Sequence, residues 1–208
     1  SDLEYFSRVL EDAGISYYFE DRDGESLLVL DDAPEARAVD HPGLTFRDSP
    51  GVTDGTFVTG VEVRARLRPG QQTIGDLDYR RASSNQPRLG ARAGRPSERR
   101  LEVFDYEPGA FLYQSDTGFS SLADDRGTAR TDERAGARKV ANRLAAARWD
   151  ATVVSFESNV VELAPGARVS MLDHPHRALS SSSALLVVSS ALSGDHDGEW
   201  RVSVEAVP

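Results

Sequence analysis

The chain contains no cysteine. Disulfides, thiolate nucleophiles and cysteine metal sites are therefore excluded, and the redox compartment is left open. Lysine occurs once, at Lys139, so almost all basic charge is arginine, a usage that reads as coding bias before function. No apolar run approaches the roughly 20 residues of a membrane-spanning helix. Excess positive charge is also missing: the 208 residues carry a net charge of -10, and the pI is near 4.9. Nucleic acid is thereby disfavoured as a partner. The phosphate-binding pattern G-x-x-x-x-G-K-S/T, the dinucleotide pattern G-x-G-x-x-G and the nucleophile elbow G-x-S-x-G are all absent. No residue supports an enzymatic reading, and no cofactor is expected.

What is present is enough apolar residue, 39%, to bury a core, in a length that suits one large domain or two small ones. Charge is unevenly spread. Between positions 61 and 100, ten arginines meet four acids, a local +6, which leaves -16 for the remainder. A basic middle in an acidic chain fits contact with an acidic surface, including another copy of the chain, or a solvated arginine-rich loop.

Along the chain, Ser1 and Glu4 have capping-box spacing, and Leu3, Phe6, Leu10 and Ala13 recur at helical spacing up to a stop at Gly14. "ISYYFE" and "ESLLVL" flank "DRDG" and read as a β-hairpin. The Pro-, Gly- and Asp-rich stretch from Asp31 to Gly55 reads as a long loop or boundary. In "TFVTGVEVRARLRPG", Val61, Val63, Ala65 and Leu67 alternate with Glu62, Arg64, Arg66 and Arg68, a strand with one apolar and one charged face. "QTIGDLDYRR" reads as its partner after the Pro69-Gly70 turn, the stretch from Ala82 to Arg100 as a mobile loop, and "LEVFDYEPG" as a short strand. A helix is expected over 128–149, lying on a sheet through a narrow face at Val140 and Leu144. "TVVSFESNVVEL", "ARVSML", "SALLVVSSAL" and "EWRVSVEAV" close the chain as strands.

The fold class is therefore mostly β (α+β): a barrel-like antiparallel β domain over 56–208 with an inserted helix at 128–149, and a helix-plus-hairpin subdomain over 1–50. "DRDGE" at 21–25 and "DHDGE" at 195–199 echo each other. Asp-x-Asp-Gly suits either a calcium loop or a hairpin turn, and the missing distal Glu favours the turn. His174 and His176 lack a third ligand nearby in sequence, while His41 and His196 sit in loops, so no metal site is expected. The most specific physical feature is the row Arg64, Arg66, Arg68: three guanidinium groups on one strand face repel unless solvent or acids face them, from a neighbouring strand or subunit.

Several stretches, in order, resemble the VgrG proteins, the spike proteins of type VI secretion systems. "SDLEYFSRVLEDAGISYYFE" resembles the family's helix-hairpin segment, and "LRPGQQTIGDLDYRR" the turn and strand after it. "LEVFDYEPGAF" resembles the E-x-Y-D-Y-P-G-x-Y motif, which marks Asp105, Tyr106, Pro108 and Gly109 as a structural turn. "RLAAAR" falls in the family's long helix, "LAPGARVSMLDHP" resembles L-x-P-G-x-x-F-x-L-x-x-H-P, and "LLVVSSAL" and "WRVSVEAVP" resemble the closing strands. The chain departs from the pattern at Leu192, where the family has His, at Val204, where it has an aromatic, and in the unmatched basic stretch 88–100.

The resemblance implies a phage-hub-like internal fragment with structural function. An N-terminal barrel would precede the first helix and cover its stripe, and an oligonucleotide/oligosaccharide-binding (OB)-like barrel and a β-helix needle would follow. The whole would be a homotrimeric spike seated on the Hcp tube protein and carrying effectors. It would assemble in the bacterial cytoplasm and be delivered into target cells, with Arg64, Arg66 and Arg68 at a subunit or lumen contact. Three alternatives stand beside this reading. One is the hub of a contractile phage tail or extracellular injection particle. Another is a carbohydrate-binding β-module stacking sugars on Trp149, Trp200, Tyr17 and Tyr18. The third is a hydrolase with paired carboxylates.

Overall fold

Ser1 accepts from the Glu4 amide while Glu4 reaches back to the Ser1 nitrogen, so the capping box forms and helix α1 spans Asp2–Ala13. Gly14, at φ 75°, closes it in the left-handed conformation that glycine adopts without penalty. The computed structural model describes residues 1–49, 55–77, 86–108, 133–179, 183–196 and 199–208. After α1 come β1 (Ser16–Arg22), β2 (Glu25–Asp31), β3 (His41–Phe46), β4 (Phe57–Ala65), β5 (Gln71–Gly75), β6 (Arg88–Arg92) and β7 (Glu102–Tyr106). Helix α2 (Glu133–Arg148) follows, then β8 (Thr152–Ser158), β9 (Arg168–Leu172), β10 (Ala184–Ser193) and β11 (Arg201–Val207).

The residues form two compact units. One comprises 15–66 and 149–208, the other 1–14 and 67–148. This grouping differs from the division at 50 and 56 expected from the sequence: α1 goes with the middle of the chain, and the hairpin goes with the barrel.

In the first unit, β10-β11-β8-β4-β3-β9 close into a barrel. The mostly β, barrel-containing class expected from the sequence is thus observed. Closure leaves no open strand edge. Period-2 alternation fills the interior: Val154 and Phe156 of β8, Val202, Val204 and Ala206 of β11, Leu185 and Val187 of β10, and Val169 and Met171 of β9 form one buried cluster with Val58 and Leu44. Two sequence readings are corrected here. First, the 31–55 stretch is not all loop: it holds β3, which pairs in parallel with both β4 and β9. Pro42, and Gly43 at φ 77°, hid that short strand. Second, β4 does not carry its apolar face inward to the end. A bulge at Gly60, φ 60°, shifts its register against β8 between Thr59 and Glu62, and beyond it Val63 and Leu67 are exposed. The hairpin β1–β2 forms as expected, with Asp23 and Gly24 at its turn.

The second unit is a three-stranded sheet, order β6-β5-β7, with α2 packed on β5 and β6. Its core is small: Ile74 and Val140 are fully buried, with Leu89 and Ala91 against them. The helix lies on a sheet through Val140 and Leu144, as the narrow apolar face predicts. Residues 128–132 of the expected helix lie outside the described residues. Of the 72–81 stretch read as the partner of β4, residues 78–81 lie outside the described residues, and the described residues 72–77 do not pair with β4. Instead β5 runs antiparallel to β6 and parallel to β7. The 82–100 stretch is not simply a loop either, since it supplies β6 and a one-turn helix at Glu98–Arg100. α1 packs on α2, burying Leu10, while Leu3, Tyr5 and Val9 remain exposed.

Candidate functional site

β4 and β8 are antiparallel neighbours, yet the chain between them leaves at Arg66 and returns at Trp149. On the barrel side of this excursion the Arg66 amide donates to the Ala151 carbonyl at 3.0 Å, and the Arg66 guanidinium meets the buried Asp150 carboxylate at 2.8 Å. In the inserted unit, Arg148 donates to the carbonyls of Arg68 and Pro69 and to Glu98 at 3.0 Å. Glu98 is buried and also accepts from the Arg95 amide at 2.9 Å. That amide, then the Arg148 guanidinium, outweigh burial and hold its carboxyl below the usual carboxylate range. Each end of the insertion is thus clasped by an arginine.

The arginine row is answered by acids. Arg64 meets Glu205 of β11 at 2.5 Å, Arg66 meets Asp150, and Arg68 lies past the strand's end at Ala65. The three do not form a continuous row, because β4 stops before Arg66. An exposed pair such as Arg64–Glu205 contributes only about 0–1 kcal/mol, so its effect is on orientation more than stability.

Of the expected turn residues, Asp105 sits on β7, where its carboxylate accepts from Gln72 at 2.7 Å and lies 3.6 Å from Arg143. Tyr106 ends β7 with its ring exposed, and Pro108 is exposed in the turn that follows. Gly109 lies outside the described residues. Around them α2 projects a row of cations: Lys139 meets Glu107 at 2.5 Å, and Arg143 reaches Glu107 at 2.6 Å and Asp12 of α1 at 3.6 Å. An open groove of about 450 Å³ runs along α1 here, lined by Tyr5, Arg8, Asp12, Asp105 and Arg143.

A third anchor was not visible in the sequence. Arg37 donates to the Tyr18 hydroxyl at 2.5 Å and to the Gly166 carbonyl at 3.0 Å, its guanidinium 5.0 Å from the Tyr18 ring centroid. Burial, opposed by Arg37, pushes the Tyr18 hydroxyl above its usual range. A Cβ at Gly166, φ 93°, would come within 2.4 Å of that ring, so only glycine lets the hairpin sit this close. Arg168 donates to the Arg37 carbonyl, which ties the anchor to β9. The one signal that could have found any of these anchors is Glu98, the sole acid among five arginines between 88 and 100.

The remaining candidates are placed as follows. His174 accepts from the His176 amide at 3.0 Å and stacks edge-on against Phe46, and burial holds it below the usual imidazole value. Among the described residues no group of three potential ligands is placed to hold a metal ion. Tyr17 and Tyr18 point to opposite faces of β1, while Trp149 and Trp200 are exposed. The second Asp-Gly turn includes residues 197–198, which lie outside the described residues. No described helix is long and apolar enough to cross a membrane.

Three solved structures share this architecture. One is the Escherichia coli c3393 protein, described as a type VI secretion component with structural similarity to the phage T4 tail proteins gp27 and gp5. It is 14% identical with a TM-score of 0.54, covering 100% of this chain and 37% of that one. The 43 kDa tail protein of prophage MuSo2 from Shewanella oneidensis is 14% identical with a TM-score of 0.58, covering 100% and 54%. A tail protein of Neisseria meningitidis MC58 is 11% identical with a TM-score of 0.54, covering 98% and 53%. The chain thus spans between about a third and a half of the length of these proteins. No curated protein matches it significantly. Residues 1–197 match the family model of the phage tail baseplate hub (GPD), and the chain belongs to that family.

Proposed function

We propose that this chain is a non-catalytic segment of the trimeric hub at the base of a type VI secretion spike. There it would sit on the Hcp tube and support the needle and the effectors that travel with it. The observation that carries this reading is the family match along 1–197 together with a closed barrel. A barrel has no free edge, and its strands share load through hydrogen bonds on both sides, which suits a part pushed by a contracting sheath. The likeness to a type VI secretion component supports the choice of machine. The two tail-protein matches support a second reading, the hub of a contractile phage tail.

Arg64, Arg66 and Arg68 remain our candidates for subunit or lumen contact, with Arg64 the most informative because its partner Glu205 is itself half-exposed. The test is charge reversal, Arg64→Glu and Arg68→Glu, in the complete reading frame, read by co-purification of the tube protein. Loss of tube binding with an unchanged melting curve is expected. Unchanged trimer assembly and unchanged tube binding would remove these residues from the proposal, and failure of the unaltered protein to bind any tube protein would overturn the proposal itself.

A further inference from the structure

The segment that follows β9 turns back on two histidines. Asp173 adopts φ 61°, a left-handed conformation that a non-glycine residue keeps only where its surroundings fix it. The chain then passes through His174, Pro175 and His176 into a one-turn helix at Arg177–Leu179. Two side-chain caps hold this reversal. The His174 Nδ1 accepts from the His176 amide at 3.0 Å, and the His176 Nδ1 accepts from the Ala178 amide at 3.3 Å. The His176 carbonyl in turn accepts from the Leu179 amide at 2.9 Å, and the Leu179 side chain is buried in the barrel core. A short chain of contacts therefore runs from the first imidazole to the core.

Both caps share one chemical condition. A neutral imidazole keeps one ring nitrogen as an acceptor, whereas the protonated ring carries N–H on both and can only donate. Each cap therefore exists only while its ring is neutral, with the proton on Nε2. Asparagine and serine, which make the same contact two residues ahead in ordinary turns, carry no such condition. The surroundings favour the neutral ring of His174. It is half-buried, Phe46 meets it edge-on with centroids 4.6 Å apart, and the His176 ring lies 6.5 Å away. Among the described side chains no acid pairs with either ring. Asp173 beside them and Arg47 and Asp48 after Phe46 are exposed, and His41 lies at the other end of β3.

We propose that residues 173–179 form an acid-sensitive latch at one end of the barrel. Protonation of His174 puts an N–H on Nδ1 where the acceptor was, so that it faces the His176 amide donor against donor. The first cap is then lost, the turn opens, and the one-turn helix that carries Leu179 loosens from the core. Burial, and then the charge of His176, hold the His174 ring below the usual imidazole value. The closed turn thus binds this proton less readily than the open one. The latch is complete above the ordinary value of 6.5 and is released as pH falls below it. It does not depend on the machine to which the hub belongs.

Hydrogen exchange of the whole chain, read by mass spectrometry and corrected for the intrinsic pH dependence of exchange, tests the latch. Protection over residues 174–179 is expected to fall severalfold from about pH 7.5 to about pH 5 and to return on neutralisation, while β8 and β11 keep theirs. The variant carrying both His174→Asn and His176→Asn offers side-chain oxygens to the same two amides and does not titrate. Its protection over this segment is expected to be equal at both pH values. No acid loss in the parent, or an equal acid loss in the variant, would overturn the proposal. Nitrogen NMR of the imidazoles gives a reading that needs no variant. It is expected to show neutral His174 with its proton on Nε2 and a titration midpoint below 6.5. A neutral ring protonated on Nδ1, or a midpoint at or above 6.5, would overturn the proposal equally.

Discussion

Glu98 and Arg148 show how single residues decide the inserted unit. Five arginines crowd positions 88–100, and Glu98 is the one acid among them. It is buried and committed to the Arg95 amide and the Arg148 guanidinium, while Arg148 also satisfies two backbone carbonyls. Because these contacts favour the ionised form, the folded state binds this proton less readily than the unfolded chain does. Its contribution is therefore complete above the ordinary value of 4.5 and is lost as pH falls below it. Glu98→Gln should be less stable than the parent at pH 7. Its denaturation midpoint should also fall less steeply between pH 5 and pH 3, as measured by urea unfolding monitored by circular dichroism of the helices, which both lie in the unit of Glu98. An equally steep acid limb in both proteins would assign the acid sensitivity to other carboxylates.

At the scale of elements, what was legible in the sequence was whatever is local. The capping box, the glycine stop at Gly14, the Asp-Gly hairpin turn and the alternation of β8 to β11 are short-range patterns, and each element formed where its pattern lay. What was hidden is non-local. β3 pairs in parallel with the next strand, β4, and with the distant β9, so no tight turn announces it. β5 follows a Pro-Gly turn that suggests a hairpin with β4, yet its partners are β6 and β7. The arginine row reads as one surface in a straight strand, but the bulge at Gly60 and the strand end at Ala65 divide it, and its acids come from residues 150 and 205. The small core of the inserted unit leads to an element-scale prediction. Ile74→Ala should cost about 2–5 kcal/mol locally. Amide hydrogen exchange should rise over 71–75, 88–92 and 133–148 while the barrel strands keep their protection, since Ile74 belongs to a different hydrophobic cluster from the barrel core. Uniform loss of protection would show that the two units unfold as one.

For the whole molecule, the acidic barrel unit and the nearly neutral inserted unit are folded around separate cores, and the covalent path between them is clasped by arginine at each end. Under the proposed reading, such a part would transmit force through its hydrogen-bonded strands, as a hub joining a tube to a spike must. The measurement that tests this most directly is cryo-electron microscopy of the assembled particle containing the complete protein. The account predicts three copies of this barrel in the ring between tube and needle. A particle whose ring lacks this fold, or a complete protein that never enters the particle, would contradict it.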